Sequence, residues 1–302
     1  MTTNHQTSAP TKAPAKAPAK PSWLKVTYDQ KKVDKMTDLL KGLKLNTVCA
    51  EANCPNLGEC FGSGSASFII LGPNCTRACR FCDIPHGHPK DVDLLEPLRV
   101  AQATKKLGLT HVVVTSVDRD DLPDLGADQF VRTIHAIKKL NPKTTIEVLT
   151  PDFQGREDCL DKVIAAGPDV FNHNMETVRR VTPLVRNRAT YDTSLHVLDY
   201  VKKHAPKNMY VKTGIMLGLG EKDEEVYQLM DDLRAIDVDF LTIGQYVQPG
   251  PKNYTLREWV PMSRYQEYYK QAMKRGFKFV ASSPLVRSSY KAKEELEAVE
   301  NK

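Results

Sequence analysis

Cys49, Cys54 and Cys60 form one group of thiols, separated by four and five residues, and Cys75, Cys79 and Cys82 form a second, separated by three and two. Thiolates are soft ligands that select zinc, copper or iron–sulfur centres. Structural zinc usually takes four ligands, commonly delivered as paired Cys-x-x-Cys knuckles, and neither group has that shape. Three thiolates on a tight loop suit a cubane iron–sulfur cluster in which the protein holds three irons and leaves the fourth open. An open iron is a place for chemistry, and the chain carries two such places. Zinc stays open if His86 and His88, which follow Cys82 closely, complete a site. Disulfides fit poorly with a long chain, no apolar leading segment and an odd count of seven cysteines. The seventh, Cys159, lies alone in a helical pattern and reads as a small buried residue.

The elements that must position these thiols follow from the rest of the pattern. With 302 residues, 41% of them hydrophobic, the chain can bury a large α/β core. No apolar run is long enough to cross a bilayer, so a soluble protein is expected. Of the formal net charge of +6, three units belong to Lys12, Lys16 and Lys20, and no basic stripe is interleaved with aromatics. Neither nucleic acid nor a membrane is expected as a partner. Residues 1–21 are a low-complexity Ala/Pro/Lys tail, expected to be disordered; it lacks the arginines and amphipathicity of a mitochondrial presequence. Residues 22–66 form an N-terminal extension bearing the first cysteine group, with a helix expected at 33–40. Apolar, β-rich runs at 67–71, 111–117, 144–150, 169–174, 210–217 and 240–246 alternate with helical patterns such as 95–107, 127–140 and 224–235. Such alternation implies a parallel sheet covered by helices, and six repeats favour a barrel or open partial barrel over 67–277. A further run at 278–286 opens a C-terminal extension, 278–302. Sites in such folds gather in the loops after the strands, and the second cysteine group begins just there, on a loop opened by Gly72-Pro73-Asn74.

Cys75-Thr76-Arg77-Ala78-Cys79-Arg80-Phe81-Cys82-Asp83 resembles the signature of radical S-adenosylmethionine enzymes, in the form found in lipoyl synthases. Cys49-Ala50-Glu51-Ala52-Asn53-Cys54-Pro55-Asn56-Leu57-Gly58-Glu59-Cys60 closely resembles the auxiliary-cluster motif of that family. Phe171-Asn172-His173-Asn174-Met175-Glu176-Thr177 and Arg287-Ser288-Ser289-Tyr290 match two more of its stretches. The resemblance runs from Trp23 to Lys291, with four motifs in the family's order. It implies a radical S-adenosylmethionine partial (β/α)6 barrel carrying an N-terminal auxiliary-cluster extension and a C-terminal extension.

The resemblance also implies an activity. Cys75, Cys79 and Cys82 would hold a [4Fe–4S] cluster whose open iron is chelated by S-adenosylmethionine. Reduction would cleave the sulfonium to methionine and a 5′-deoxyadenosyl radical. Cys49, Cys54, Cys60 and Ser289 would hold an auxiliary [4Fe–4S] cluster, dismantled as the donor of two sulfur atoms. These would enter carbons 6 and 8 of a protein-bound octanoyl-lysine, giving lipoyl-lysine. Partners implied are octanoylated lipoyl-carrier domains (2-oxoacid dehydrogenase E2 subunits, the glycine cleavage H protein), an electron donor and cluster-rebuilding proteins. Oxygen-sensitive clusters favour a reducing compartment, and the cytoplasm is expected. Ser116, Asp118, Asn174 and Glu176, at the ends of expected strands, are candidate contacts to S-adenosylmethionine, although Asp and Asn also suit loops and helix caps there. Arg119 shares that edge. Asp120, Asp121 and Asp124 read as serving their loop and the next helix, and Arg188 as a solvated surface side chain. The family commonly has histidine where this chain has Lys291, and Asp-Gly-Gly where it has Asp124-Leu125-Gly126, which puts that loop's geometry in doubt. Two other readings compete: a biotin synthase-like sulfur inserter acting on a free small molecule, and a zinc-dependent scaffold.

Overall fold

The computed structural model describes residues 30–47, 67–289 and 292–300, with positions 19, 21 and 56. The tail apart from positions 19 and 21, and Cys49, Cys54 and Cys60, lie outside the described residues.

Strands β2 (Ser67–Ile70), β3 (His111–Ser116), β4 (Thr145–Leu149), β5 (Val170–Asn172), β6 (Tyr210–Leu217), β7 (Phe240–Gln245) and β8 (Phe279–Ser282) pair in parallel, each with the next in the chain. A two-residue β1 (Asn46–Thr47) adds antiparallel to β2. Parallel neighbours need crossovers, and helices supply them: α1 (Gln30–Gly42) precedes the sheet, and α2 (Glu96–Lys106), α3 (Ala127–Leu140), α4 (Glu157–Ala166), α5 (Thr182–Val185), α6 (Tyr191–His204), α7 (Asp223–Ala235), α8 (Met262–Lys274) and α9 (Ala292–Glu300) follow. The strands are buried on both faces, which is why they read as continuous apolar runs rather than alternating ones. Helix ends are written in the sequence. Helix α2 has Pro97 and Glu96 in its first turn and Lys105 and Lys106 in its last, matching the helix dipole.

The six expected strands are present, and the run at 278–286 adds a seventh to the parallel set. The sheet does not close: among the described residues β8 pairs only with β7. Helix α9 touches both β3 and β8, from opposite ends of the sheet, so it spans the open side. Cys159 lies in α4 and is fully buried, as expected.

Two backbone devices shape the site. At the exit of β2, Leu71 takes φ +71° and Gly72 φ +89°, turning the chain sharply into the cysteine loop. A left-handed leucine costs about 1–2 kcal/mol, and it is held by contacts on both sides of its peptide. Its N–H donates to Glu96 Oε2 (2.9 Å), and its carbonyl accepts from Arg119 Nη1 (3.3 Å). The second device is Gly244 in β7. A Cβ there would overlap the Val286 carbonyl, so only glycine lets the segment after β8 lie across the strand. Ser283 N–H donates to Ile243 O and Gln245 N–H to Pro284 O, fastening it.

A cysteine-lined cavity at the strand ends

The loop after β2 folds back on itself. Cys75 bridges to His86 through Cys75 N–H to Pro85 O (2.8 Å) and Gly87 N–H to Cys75 O (2.9 Å), and Cys82 N–H donates to Cys79 O (3.0 Å). Three neighbouring loops pin it. After β3, Asp118 O accepts from Thr76 N–H and its hydroxyl, both at 3.0 Å. At the last residue of α5, Val185 O accepts from Arg80 N–H (2.7 Å). After β7, Asn253 Nδ2 donates to Cys82 O (2.8 Å) and Tyr254 N–H to Arg80 O (2.6 Å), with the Arg80 guanidinium over the Tyr254 ring.

Inside the loop, Arg77 is only 4% exposed. Its guanidinium is forked onto Asp120 (2.8 and 2.7 Å) and also reaches Asp152 (2.8 Å) and Asp118 (3.3 Å). It therefore ties the cysteine loop to the ends of β3 and β4. Burial opposes ionisation of Asp152, yet the Arg77 hydrogen bonds hold its carboxyl below the usual range. Asp118 goes the other way, pushed up to about 6 by burial despite the same cation.

Cys75, Cys79 and Cys82 are free thiols facing one cavity of about 1500 Å³. Ser116, Asp118, Asn174, Glu176 and Ser289 line the same space. Backbone N–H groups of Asp118 (3.3 Å) and Arg77 (3.4 Å) point at Cys75 Sγ, as they would at a thiolate. Burial pushes the Cys75 and Cys82 thiols up to about 12 and the Cys79 thiol upward, with the Asp118 charge adding to the effect at Cys75 and Cys79. Three buried thiolates beside carboxylates are unfavourable unless a cationic centre neutralises them. Among the described residues no three His, Cys, Asp or Glu side chains converge on one metal ion. His86 and His88, which a zinc site on this loop would need, are both exposed. A cluster, in which each thiolate meets a different iron, needs no such convergence.

The candidate polar contacts sit where a ligand would meet them. Ser116 Oγ and Asn174 Oδ1 are buried without a hydrogen-bond partner. Asn174 Nδ2 reaches Glu176 Oε1 (3.2 Å) and Ser288 Oγ (3.4 Å). Glu176 holds φ +66° because its N–H and C=O are both engaged by β6, at Gly214 and Met216, and burial raises its carboxyl. Gly214 has no room for a Cβ beside Asn174 Oδ1 and Thr242 Oγ1. Arg119 takes no part in the cavity wall; it is buried against Asp121 and the Leu71 carbonyl. Asp124 accepts from the N–H groups of Gly126 and Asp128 at the start of α3. Leu125 adopts φ +54°, so the left-handed turn forms with leucine where the family has glycine. Arg188, with its side chain 59% exposed, pairs with Asp120 (3.0 Å).

The cysteine motif of the N-terminal extension enters through its one described residue. Asn56, between Cys54 and Cys60, is buried, lines the cavity and donates from Nδ2 to Leu285 O (2.6 Å) in the segment leading to Ser289.

The model of the radical SAM superfamily matches residues 69–233. A lipoyl synthase of Caldanaerobacter subterraneus subsp. tengcongensis is 52% identical over 273 residues, covering 90% of this chain and 95% of that protein. One from Parabacteroides distasonis is 49% identical over 278 residues, covering 92% and 98%. The chain belongs to the lipoyl synthase family. As a member of that family it is a radical S-adenosylmethionine enzyme, a sulfurtransferase. Solved structures agree on the fold alone. Methylornithine synthase (PylB) matches with a TM-score of 0.54 at 14% identity, over 89% of this chain and 93% of that one. SuiB of Streptococcus suis, bound to S-adenosylmethionine, matches with 0.56 at 13%, over 84% and 61%. No described helix is long and apolar enough to cross a membrane. Within this lipoyl synthase fold, Arg77, Asp152 and His173 were not legible as site residues. Arg186, on the cavity wall, could not be told from Arg188 two positions on, because both are arginines in one polar loop.

Proposed function

We propose that the chain inserts sulfur at carbons 6 and 8 of an octanoyl-lysine carried by a lipoyl-bearing domain. Two [4Fe–4S] clusters serve it, one on Cys75, Cys79 and Cys82 and the other on Cys49, Cys54, Cys60 and Ser289. When bound, the first supplies the electron that cleaves S-adenosylmethionine into a hydrogen-abstracting species, and the second supplies the sulfur. The protein's own work is placement. Asp118 and Arg77 N–H groups direct Cys75, the Arg77 fork holds the loop, and Ser116, Asp118, Asn174 and Glu176 offer hydroxyl, amide and acidic contacts for the nucleoside and methionyl amine. The cavity keeps the substrate radical away from water, where it would be lost.

The observation that carries this reading is the Asn56 to Leu285 hydrogen bond. It holds Asn56, which lies between Cys54 and Cys60 in the sequence, against the segment that leads to Ser289, on the wall that the second cysteine loop also lines, and this supports a shared cavity. Hydroxyl is a hard ligand for iron and more readily displaced than thiolate, which suits a cluster that must come apart. Carrier domains of the 2-oxoacid dehydrogenase E2 and glycine cleavage H types are the proposed substrates, and a reducing cytoplasm the proposed setting. Reconstituted protein given an octanoylated carrier domain and, separately, dethiobiotin should add two sulfurs only to the carrier, read by mass spectrometry. Sulfur entering dethiobiotin alone would overturn it.

A further inference from the structure

A cavity of about 1500 Å³ has the size of a ligand pocket; it admits an acyl-lysine arm and not the folded domain that bears it. A carrier must therefore rest on the rim while its arm reaches inward. Charge is distributed differently on the inner wall and on the rim. Inside, Arg77 is enclosed by Asp118, Asp120 and Asp152, and Arg186 rests on Ser194 Oγ (2.7 Å). Arg287 is turned onto the carbonyls of Pro284 and Val286, and Lys293 pairs with Glu297 (3.4 Å).

The rim cations are not matched in this way. Arg80 and Lys252 line the cavity with exposed side chains, and Arg257 is exposed beside them. None of the three makes an ion pair among the described residues, and Asp83, the acid nearest in sequence to Arg80, is already engaged. The backbone holds the group together. Tyr254 N–H donates to Arg80 O (2.6 Å) and Arg257 N–H to Gly218 O (2.9 Å). The Arg80 and Arg257 guanidinium groups lie 5.1 and 5.3 Å from the centroid of one buried ring, that of Tyr254. Like charges gathered at one place repel, and an anionic surface relieves that repulsion. Arg80 Nη1 also donates to Leu184 O (3.2 Å), which sets Leu184, 46% exposed, at the edge of the same patch. Arginine with an exposed apolar side chain is a composition suited to a protein partner.

We propose that Arg80, Lys252 and Arg257, with Leu184 at their edge, form the surface on which the carrier domain docks, and that it selects carriers whose surface beside the acyl-lysine is acidic. This rests on the reading that the chain thiolates a carried octanoyl-lysine. Exposed charges of this kind steer and orient a partner more than they tighten it. The test follows sulfur insertion anaerobically in the cluster-loaded full chain, with dithionite as reductant. One substrate is an octanoylated carrier domain; the other is a short octanoyl-lysine peptide free of acidic residues. Lys252→Glu combined with Arg257→Glu should lower kcat/KM for the domain by about 10-fold or more at low salt, mainly through KM, and leave the peptide reaction unchanged. Raising salt from about 50 to about 500 mM should slow the wild type on the domain and narrow the gap between the two proteins. Lys252→Arg combined with Arg257→Lys keeps both charges and should stay within about 2-fold of wild type. An unchanged kcat/KM for the domain, or the same loss on domain and peptide, would overturn the proposal. So would a loss seen only when a protein electron donor replaces dithionite, because the patch would then belong to that donor. A wild type that thiolates neither substrate would instead overturn the reading of the activity itself.

Discussion

Arg77 is one side chain among three carboxylates, and the position of the cysteine loop depends on it. Its removal leaves Asp118, Asp120 and Asp152 facing one another without a cation. Breaking a buried pair in this way costs about 3–5 kcal/mol. Arg77→Met should lower unfolding stability by that order in urea and reduce the iron bound after anaerobic reconstitution. A second prediction concerns His111, whose side chain is 5% exposed and whose pKa is held down to about 3 by burial and by the charges of Lys212 and Lys293. Folded His111 stays neutral while the unfolded chain takes up a proton below about pH 6.5, so its stability contribution is lost as pH falls. The stability difference between wild type and His111→Gln should shrink by about 1.4 kcal/mol per pH unit between pH 6 and pH 4.5, read from urea midpoints. At this scale the sequence spoke unevenly. Cys75, Cys79 and Cys82 were visible because three closely spaced cysteines form a pattern of their own, whereas Arg77 inside the same motif could not be recognised without its partners, which lie 41 to 75 residues on.

The strand-to-helix elements were legible because each carries its own period. The pattern at 127–140 coincides with α3, and 240–246 runs one residue beyond β7. What escaped was how elements lean on one another. The run at 278–286 could be read as apolar, but the way its last residues cross β7 depends on Gly244, forty-two residues before Val286. Gly244→Ala forces the Val286 carbonyl away and should displace the segment that carries Ser288 and Ser289. Overpacking of this kind costs about 1–3 kcal/mol. S-adenosylmethionine cleavage should persist in this variant while sulfur insertion falls by at least about 10-fold, a split that equal loss of both activities would contradict. The turn at Leu71 was likewise hidden, since a leucine gives no sign that its backbone will be left-handed.

At the scale of the whole molecule, the fold is a sheet that fails to close and a helix that spans the gap. Six repeats announced a partial barrel; that β8 extends the parallel set and that α9 reaches both β3 and β8 could not be read from local pattern. The consequence is a cavity lined by the Cys75–Cys82 loop, by Asn56 and by the C-terminal segment. The central claim is that its two cysteine groups divide the labour. The direct measurement is to follow 5′-deoxyadenosine and thiolated carrier together in reconstituted Cys79→Ala and Cys54→Ala. The account predicts that Cys79→Ala yields neither, while Cys54→Ala still yields 5′-deoxyadenosine but no thiolated product. The same loss in both variants would contradict it.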